Sequence, residues 1–352
     1  MSEMRVEQKS WKELKALIES IYSRNSKLTP YQSWEYLTST GKGFTARHPM
    51  NMVGIKEKNF VLYVDGTPKA IAPLLIKNKN SKREVFLRGH FTGAGNLDFV
   101  FLNDFTFEQF ELFVREINKS LGCPVWMIDR ISEKSITYSY WKNISEIYKG
   151  KATKEICVEI PCDVTYDDWY KNLSKSTKQN IRTSYNRLNT DGKNVRYKAF
   201  FNQRIPSDLF KDIMVVASKR AIEYDGRNQK WLWRLYYPLK CLDPVIKYLR
   251  RNENCFFSAV WIDGYLAASL IGIPSNDGRM IIPRLSYSSD FQRYSPGGIL
   301  VNETMKELCK SSKYNSFDLS RGEEKYKYTY GGIEHYIWDF EFSVTIDNSS
   351  DL

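Results

Sequence analysis

The chain is poor in the residues that build metal and nucleophile sites. Its 352 residues include only three histidines, His48, His90 and His335, and these lie far apart. The six cysteines (Cys123, Cys157, Cys162, Cys241, Cys255 and Cys309) form no C-x-x-C pair, and the nearest two, Cys157 and Cys162, bracket a strand-like "VEIP". No zinc spacing results, so no metal is expected and the thiols read as buried and reduced. The amino-terminal "MSEMRVEQKSWKELKALIES" is charged throughout and has no signal-peptide core. No apolar run approaches the length of a membrane span. A cytoplasmic protein is the expectation. Low-complexity linkers are also missing, so the halves of the chain are expected to pack as one body.

What is present is an ordinary globular composition, 42% hydrophobic and 26% charged. The length predicts two domains. Aromatics reach 14%, which suits pockets with an apolar wall and a polar tip. A net charge of +11 favours an anionic partner without choosing among phosphates, nucleic acid and a membrane surface.

One order of elements occurs twice. In the second half, "CFFSAVW" (255–261), the turn "IDGY", "LAASLIGI" (266–273), the turn "PSNDG" and "RMIIPRLSYS" (279–288) read as three hairpin-linked strands, because Asp-Gly accepts positive φ. A helix after Gly298, a strand "NSFDLS" (315–320) and a last strand "YIWDFEFSVT" (336–345) follow. The first half repeats the order with "NFVLYV" (59–64), "KAIAPLLI" (69–76), "REVFLR" (83–88), a helix over 105–121 and "PVWMID" (124–129). The polar "KGKATKE" (149–155) reads as the boundary, giving domains 1–152 and 153–352. Within the second half, "RYSPGGILVNETMKELCK" (293–310) sets a Ser-Pro-Gly-Gly turn at a helix start. A helix start has unpaired amides and a partial positive charge, which suit phosphate. Gly297 and Gly298 would let the backbone approach, Pro296 would fix the chain direction, Ser295 would cap or donate, and Arg293 would add charge.

Three stretches resemble the GNAT superfamily of acyl-CoA-dependent N-acyltransferases, in the branch of CelD-like and Fem-type proteins. They are "WYKNLSKSTKQNIRTSYNRLNTDG" (169–192), "YSSDFQRYSPGGILVNETMKEL" (287–308) and "FDLSRGEEKYKYTYGG" (317–332). The likeness covers about 156–345. The "RYSPGG" turn departs from the family's longer glycine-rich loop. The resemblance implies an α/β (α+β) fold of two tandem GNAT-like domains, each a mixed, mainly antiparallel sheet flanked by helices. It implies direct acyl transfer, acetyl most simply, from acetyl-CoA or another acyl-CoA to an amine, with no metal and no covalent intermediate. A sugar or nucleotide-linked sugar acceptor in bacterial surface-polysaccharide synthesis fits that branch.

By the same resemblance the backbone of Leu285 and Ser286 would hold the pantetheine arm, and Arg293, Ser295, Gly297 and Gly298 the pyrophosphate. Asp318 or Glu323 would be the base, and Tyr326 an acid. Arg321 and Lys327 would pair an anionic acceptor. Lys178 and Arg182 share a helix face, and would serve phosphates or an acidic acceptor; Ile181 and Leu188 mark the opposite, buried face. Arg187 belongs to the same basic helix. The aromatic "SKRAIEYDGRNQKWLWRLYYPL" (218–239), with Trp231, Trp233, Tyr236 and Tyr237, reads as core packing or a stacking surface. The glycine loop "HFTGAGNLDF" (90–99) is expected to line a cleft. Two other functions stay open: a Fem-like transferase using aminoacyl-tRNA on a peptidoglycan-type acceptor, and a non-catalytic nucleic-acid binder, although no zinc finger, helix-turn-helix or RNP-like strand is present.

Overall fold

The computed structural model describes residues 3–41, 53–79, 82–92, 94–224 and 244–344. In chain order the first half runs β1 (Met4–Lys9), α1 (Lys15–Arg24), α2 (Trp34–Thr40), β2 (Ile55–Val64), β3 (Thr67–Lys79), β4 (Lys82–Leu87), β5 (Val100–Phe101), α3 (Phe107–Leu121), β6 (Val125–Ser132), α4 (Thr137–Ile147) and β7 (Lys151–Pro161). The second half runs α5 (Tyr166–Asn172), α6 (Lys175–Thr190), β8 (Val195–Gln203), α7 (Ser207–Tyr224), α8 (Pro244–Arg251), β9 (Cys255–Ile262), β10 (Tyr265–Pro274), β11 (Arg279–Tyr287), α9 (Pro296–Ser311), β12 (Ser316–Arg321), α10 (Lys325–Thr329) and β13 (Ile333–Ser343). The chain divides into two units, Met1–Glu155 with Tyr336–Leu352, and Ile156–His335.

The sheet of the first unit has the order β1-β2-β3-β4-β6-β13, with β5 on β3; that of the second has the order β7-β12-β11-β10-β9-β8. Both are antiparallel except at one place each, β4 with β6 and β11 with β12. A parallel neighbour requires a crossover, and a helix supplies it in both units, α3 in the first and α9 in the second. The Asp-Gly turns behave as their residues require. Asp65 and Gly66 have φ of 48° and 74°, Asp263 and Gly264 51° and 81°, so both central positions of each hairpin lie in the left-handed region. Helix α3 starts at a capping box, Thr106 with Gln109, and stops at left-handed Gly122. Its buried Phe110, Phe113, Val114, Ile117 and Leu121 lie at helical spacing. Helix α9 buries Val301, Met305 and Leu308, the three residues that the sequence puts on its docking face.

The division after Glu155 falls at the end of the 149–155 stretch, and two other expectations change. Residues 151–155 of the polar "KGKATKE" stretch form the exposed start of strand β7, because strand pairing is a backbone property that polar side chains do not prevent. That strand then enters the second unit, where Ile160 pairs with Phe317 and Glu159 with Asp318. The chain from Tyr336 onward, assigned by sequence to the second domain, lies in the first unit, with Ile337 opposite Ser132 and Phe342 opposite Trp126. Cys157, Cys162, Cys255 and Cys309 are buried free thiols, but Cys123 is exposed at the turn after α3. Trp231, Trp233, Tyr236, Tyr237 and Cys241 lie outside the described residues. Among the described residues no helix is long and apolar enough to cross a membrane.

Candidate active site

In the second unit, β11 and β12 are paired only over Arg279–Ile281 and Ser316–Asp318. Strand β11 continues beside β10 as far as Tyr287, where Leu285 faces Leu270 and Ser286 faces Ser269. Past Ile281 no described strand pairs its other edge. A pocket of about 520 Å³ lies in this unit, lined by Leu285 and Tyr287 of β11, by Gln292, Ser295, Pro296, Gly297 and Gly298 before and within the first turn of α9, and by Tyr326, Thr329 and Tyr330 of the α10 segment. Helix α6 closes it with Thr177, Asn180, Thr183, Ser184 and Arg187. These positions recur at three- and four-residue spacing on one side of the helix, and Thr177 and Ser184 among them share a buried stripe with Ile181 and Leu188.

The helix start is built unusually. Ser295 takes the left-handed conformation, φ 48° and ψ 55°, and its side chain caps nothing. Its carbonyl accepts instead from Gly298 (2.9 Å) and Ile299 (3.2 Å). Pro296 has no amide hydrogen, which leaves the Gly297 amide as the first-turn donor without a described partner. The two glycines differ in what surrounds them. A Cβ on Gly297 would meet only Tyr287, at 3.7 Å. On Gly298 it would stand 2.6 Å from the Tyr330 hydroxyl. Gly298 is therefore bare to admit a phenol, and Gly297 is the glycine that opens toward a ligand.

Leu285, Ser295, Gly297, Gly298 and Tyr326 are thus brought together as the sequence suggests. The other expected residues are not in the lining. Ser286 is buried in the β10 pairing. Arg293 is exposed and paired with Asp191 at 3.1 Å, while its carbonyl accepts from Arg187 at 2.9 Å. Among the described lining residues the cation is Arg187. Lys178 donates to the Lys171 carbonyl at 2.7 Å, and Arg182, Arg321 and Glu323 are exposed away from the lining.

Asp318 and Lys327 require correction. Asp318 is fully buried, 3.0 Å from Arg279 and 3.4 Å from His335. Burial alone would raise its carboxyl, but His335, Arg279 and the Ser320 amide outweigh it and hold it low, at about 2. A carboxylate held low beside a guanidinium and without access is a poor base. Its neighbours Glu159 and His335 offer ligand atoms within 4.8 Å of one another and of Asp318. The Arg279 guanidinium against the same carboxylate opposes a metal cation there. Lys327 is buried and donates to the carbonyls of Ser320 (3.1 Å), Arg321 (2.7 Å) and Gly322 (3.0 Å), with Glu324 at 2.9 Å. It holds the β12–α10 turn together and has no hand free for an acceptor.

Among the described residues that line this pocket, the ionisable groups are Arg187 and three tyrosines. Burial pushes Tyr330 up to about 12, and burial with Glu324 pushes Tyr326 upward too. Both phenols stay protonated near neutrality and can donate a proton or hydrogen bond to a developing anion. Tyr287 is held by Arg220, whose guanidinium donates to its hydroxyl at 2.6 Å. The sequence reading missed Tyr287, Tyr330, Gln292 and the small polar stripe of α6. The stripe was findable from its spacing, but Tyr330 and Tyr287 carried no local signal.

Residues 175–328 match the family model described as "Acetyltransferase (GNAT) domain". No curated protein matches the chain. Among solved structures, the chain resembles L-PGS from Bacillus licheniformis at 12% identity and a TM-score of 0.52, covering 97% of this chain and 94% of that one. It resembles FemX at 10% identity and 0.51, covering 96% and 97%. A tandem GNAT protein from the clavulanic acid biosynthesis pathway matches at 6% identity and 0.50, covering 98% and 100%. At these identities the likeness is one of fold, and it runs the length of the chain.

Proposed function

We propose that this protein, an acyltransferase of the GNAT superfamily, draws its acyl group from acetyl-CoA or another acyl-CoA seated in the pocket of the second unit and passes it to an amine. The observation that carries the reading is the stretch of β11 past Ile281 whose outer edge no described strand pairs, leading to the Gly297 amide. An extended pantetheine-like arm can lie along such an edge as an added strand. The pyrophosphate would then meet the helix start and Arg187. The thioester carbonyl would be polarised by β11 backbone groups, and the Tyr326 or Tyr330 phenol would give its proton to the departing thiolate. The amine would lose its proton to a base or a water at the pocket. A sugar amine in cell-surface polysaccharide synthesis is the acceptor we favour.

A second reading keeps the reaction class and changes the donor to an aminoacyl-tRNA. The fold likeness to FemX and the excess of positive charge favour it. Titration calorimetry with acetyl-CoA tests both. Micromolar binding by the parent, abolished by Gly297→Trp and weakened roughly tenfold by Arg187→Ala, supports the first. No binding by the parent, together with salt-dependent binding of aminoacyl-tRNA, replaces it with the second.

A further inference from the structure

One wall of the pocket in the second unit is a side chain that a distant helix holds. Tyr287 is the last residue of β11, set opposite Ala268, and the chain then leaves the sheet for the 3-10 turn Ser289–Tyr294. A half-buried phenol at a strand end has more than one rotamer within reach. Where this ring sits matters to the site. It lines the pocket, and it is all that a Cβ on Gly297 would meet, at 3.7 Å. The Gly297 amide is the first-turn donor of α9 without a described partner. The Tyr287 ring therefore borders the amide that opens toward a ligand.

Arg220 of α7 reaches that ring in two ways. Its Nη2 donates to the Tyr287 hydroxyl at 2.6 Å, and its Cζ lies 4.5 Å from the ring centroid. The two contacts restrain different motions. The guanidinium over the ring opposes tilting of the ring plane, and the hydrogen bond fixes the direction in which the phenol points. A hydrogen bond from a charged donor is stronger than one between neutral groups. Arg220 is not among the described lining residues, whereas Arg187 is. Arg187 faces the ligand seat directly, and Arg220 reaches it through Tyr287.

We infer that Arg220 is a positioning residue, which locks Tyr287 as the wall beside Gly297 and so raises the affinity of the seat for its donor. The inference rests on the function proposed above for this pocket. A wall fixed before the ligand arrives spares the complex the entropy of ordering it, so the benefit appears as tighter binding. Because Arg220 acts through the ring, its contribution should vanish when the ring is removed.

The test has two arms, both on the full chain. In the first, 3-fluorotyrosine takes the place of Tyr287 and its ¹⁹F signal is recorded without ligand. The signal should move in Arg220→Ala and stay in place in Lys211→Ala, an exposed position of the same helix. A signal that Arg220→Ala leaves unmoved overturns the inference. The second arm follows acetyl-CoA by titration calorimetry, with folding checked by circular dichroism. Arg220→Ala should weaken binding about tenfold in the parent and less than about twofold in a Tyr287→Ala background. Equal losses in the two backgrounds would mean that Arg220 meets the ligand itself, and would overturn the inference. If the parent binds aminoacyl-tRNA in place of acetyl-CoA, the same four proteins are titrated with that ligand. The proposed donor then fails, while the fluorine signal and the new cycle still decide the role of Arg220.

Discussion

Gly298→Ala examines the packing of the candidate site directly. The new methyl would stand 2.6 Å from the Tyr330 hydroxyl oxygen and 3.8 Å from Cζ. The hydroxyl would have to retreat by roughly 0.8 Å to reach ordinary contact. Tyr330 has little room to do so, being 8% exposed, stacked on Trp169 at 6.4 Å and bonded through its carbonyl to the Trp169 indole at 3.0 Å. Overpacking of this kind costs about 1–3 kcal/mol. Alanine in place of a helical glycine returns up to about 1 kcal/mol. The single variant should therefore be destabilised by about 0–2 kcal/mol. In a Tyr330→Phe background the nearest atom is Cζ, and the same substitution should be neutral or stabilising by up to about 1 kcal/mol. The coupling between the two positions is then about 1–3 kcal/mol. Urea unfolding of the four proteins, followed by tryptophan fluorescence, measures it. An equal cost for Gly298→Ala in both backgrounds would refute the idea that Gly298 exists to admit Tyr330.

Lys327→Ala should destabilise the second unit by about 3 kcal/mol or more, since it strands three carbonyls of one turn, and the same urea series reads it. Conversely, Lys327→Arg should not rescue it fully, because a planar guanidinium cannot reproduce a three-pronged ammonium contact. Asp318→Asn should cost about 1–3 kcal/mol by removing one of the two carboxylates that pair the buried Arg279, Asp277 remaining at 2.7 Å. Because the folded carboxyl of Asp318 lies near 2, below the ordinary value of 3.8, its ionised form stabilises the fold. That contribution, about 2 kcal/mol, is complete above pH 4 and is lost as pH falls from about 4 to about 2. A difference in acid unfolding between parent and Asp318→Asn over that window checks the sign. Loss of the parent's advantage on the alkaline side would contradict it.

Much of the architecture was legible because it is encoded locally. Asp65–Gly66 and Asp263–Gly264 demand left-handed turns, and the alternating apolar runs beside them become the hairpin strands. Regular spacing in "FEQFELFVREINKSL" and "GILVNETMKEL" gives the two crossover helices. The pocket was located through "SPGG", but its chemistry was read too literally. Charged residues in "DLSRGEEKYK" looked like an acid–base set. A sequence shows charge without showing burial, and burial decides whether Asp318 and Lys327 meet a substrate or each other's neighbours.

From the sequence alone follow the repeat of hairpins and crossover helix, the GNAT likeness of the second half and the helix start at which a ligand is expected. Those features depend on residues within about a turn or a hairpin of one another. Tertiary structure alone decided that Tyr330 fills the space over Gly298, that Arg187 rather than Arg293 faces the pocket, and that the chain from Tyr336 pairs with β6 in the first unit. It also set His90, in the turn after β4, beside Asp129 of β6. These are contacts between residues tens of positions apart, and which long-range pair forms depends on the geometry of the whole sheet rather than on any stretch that can be read along the chain.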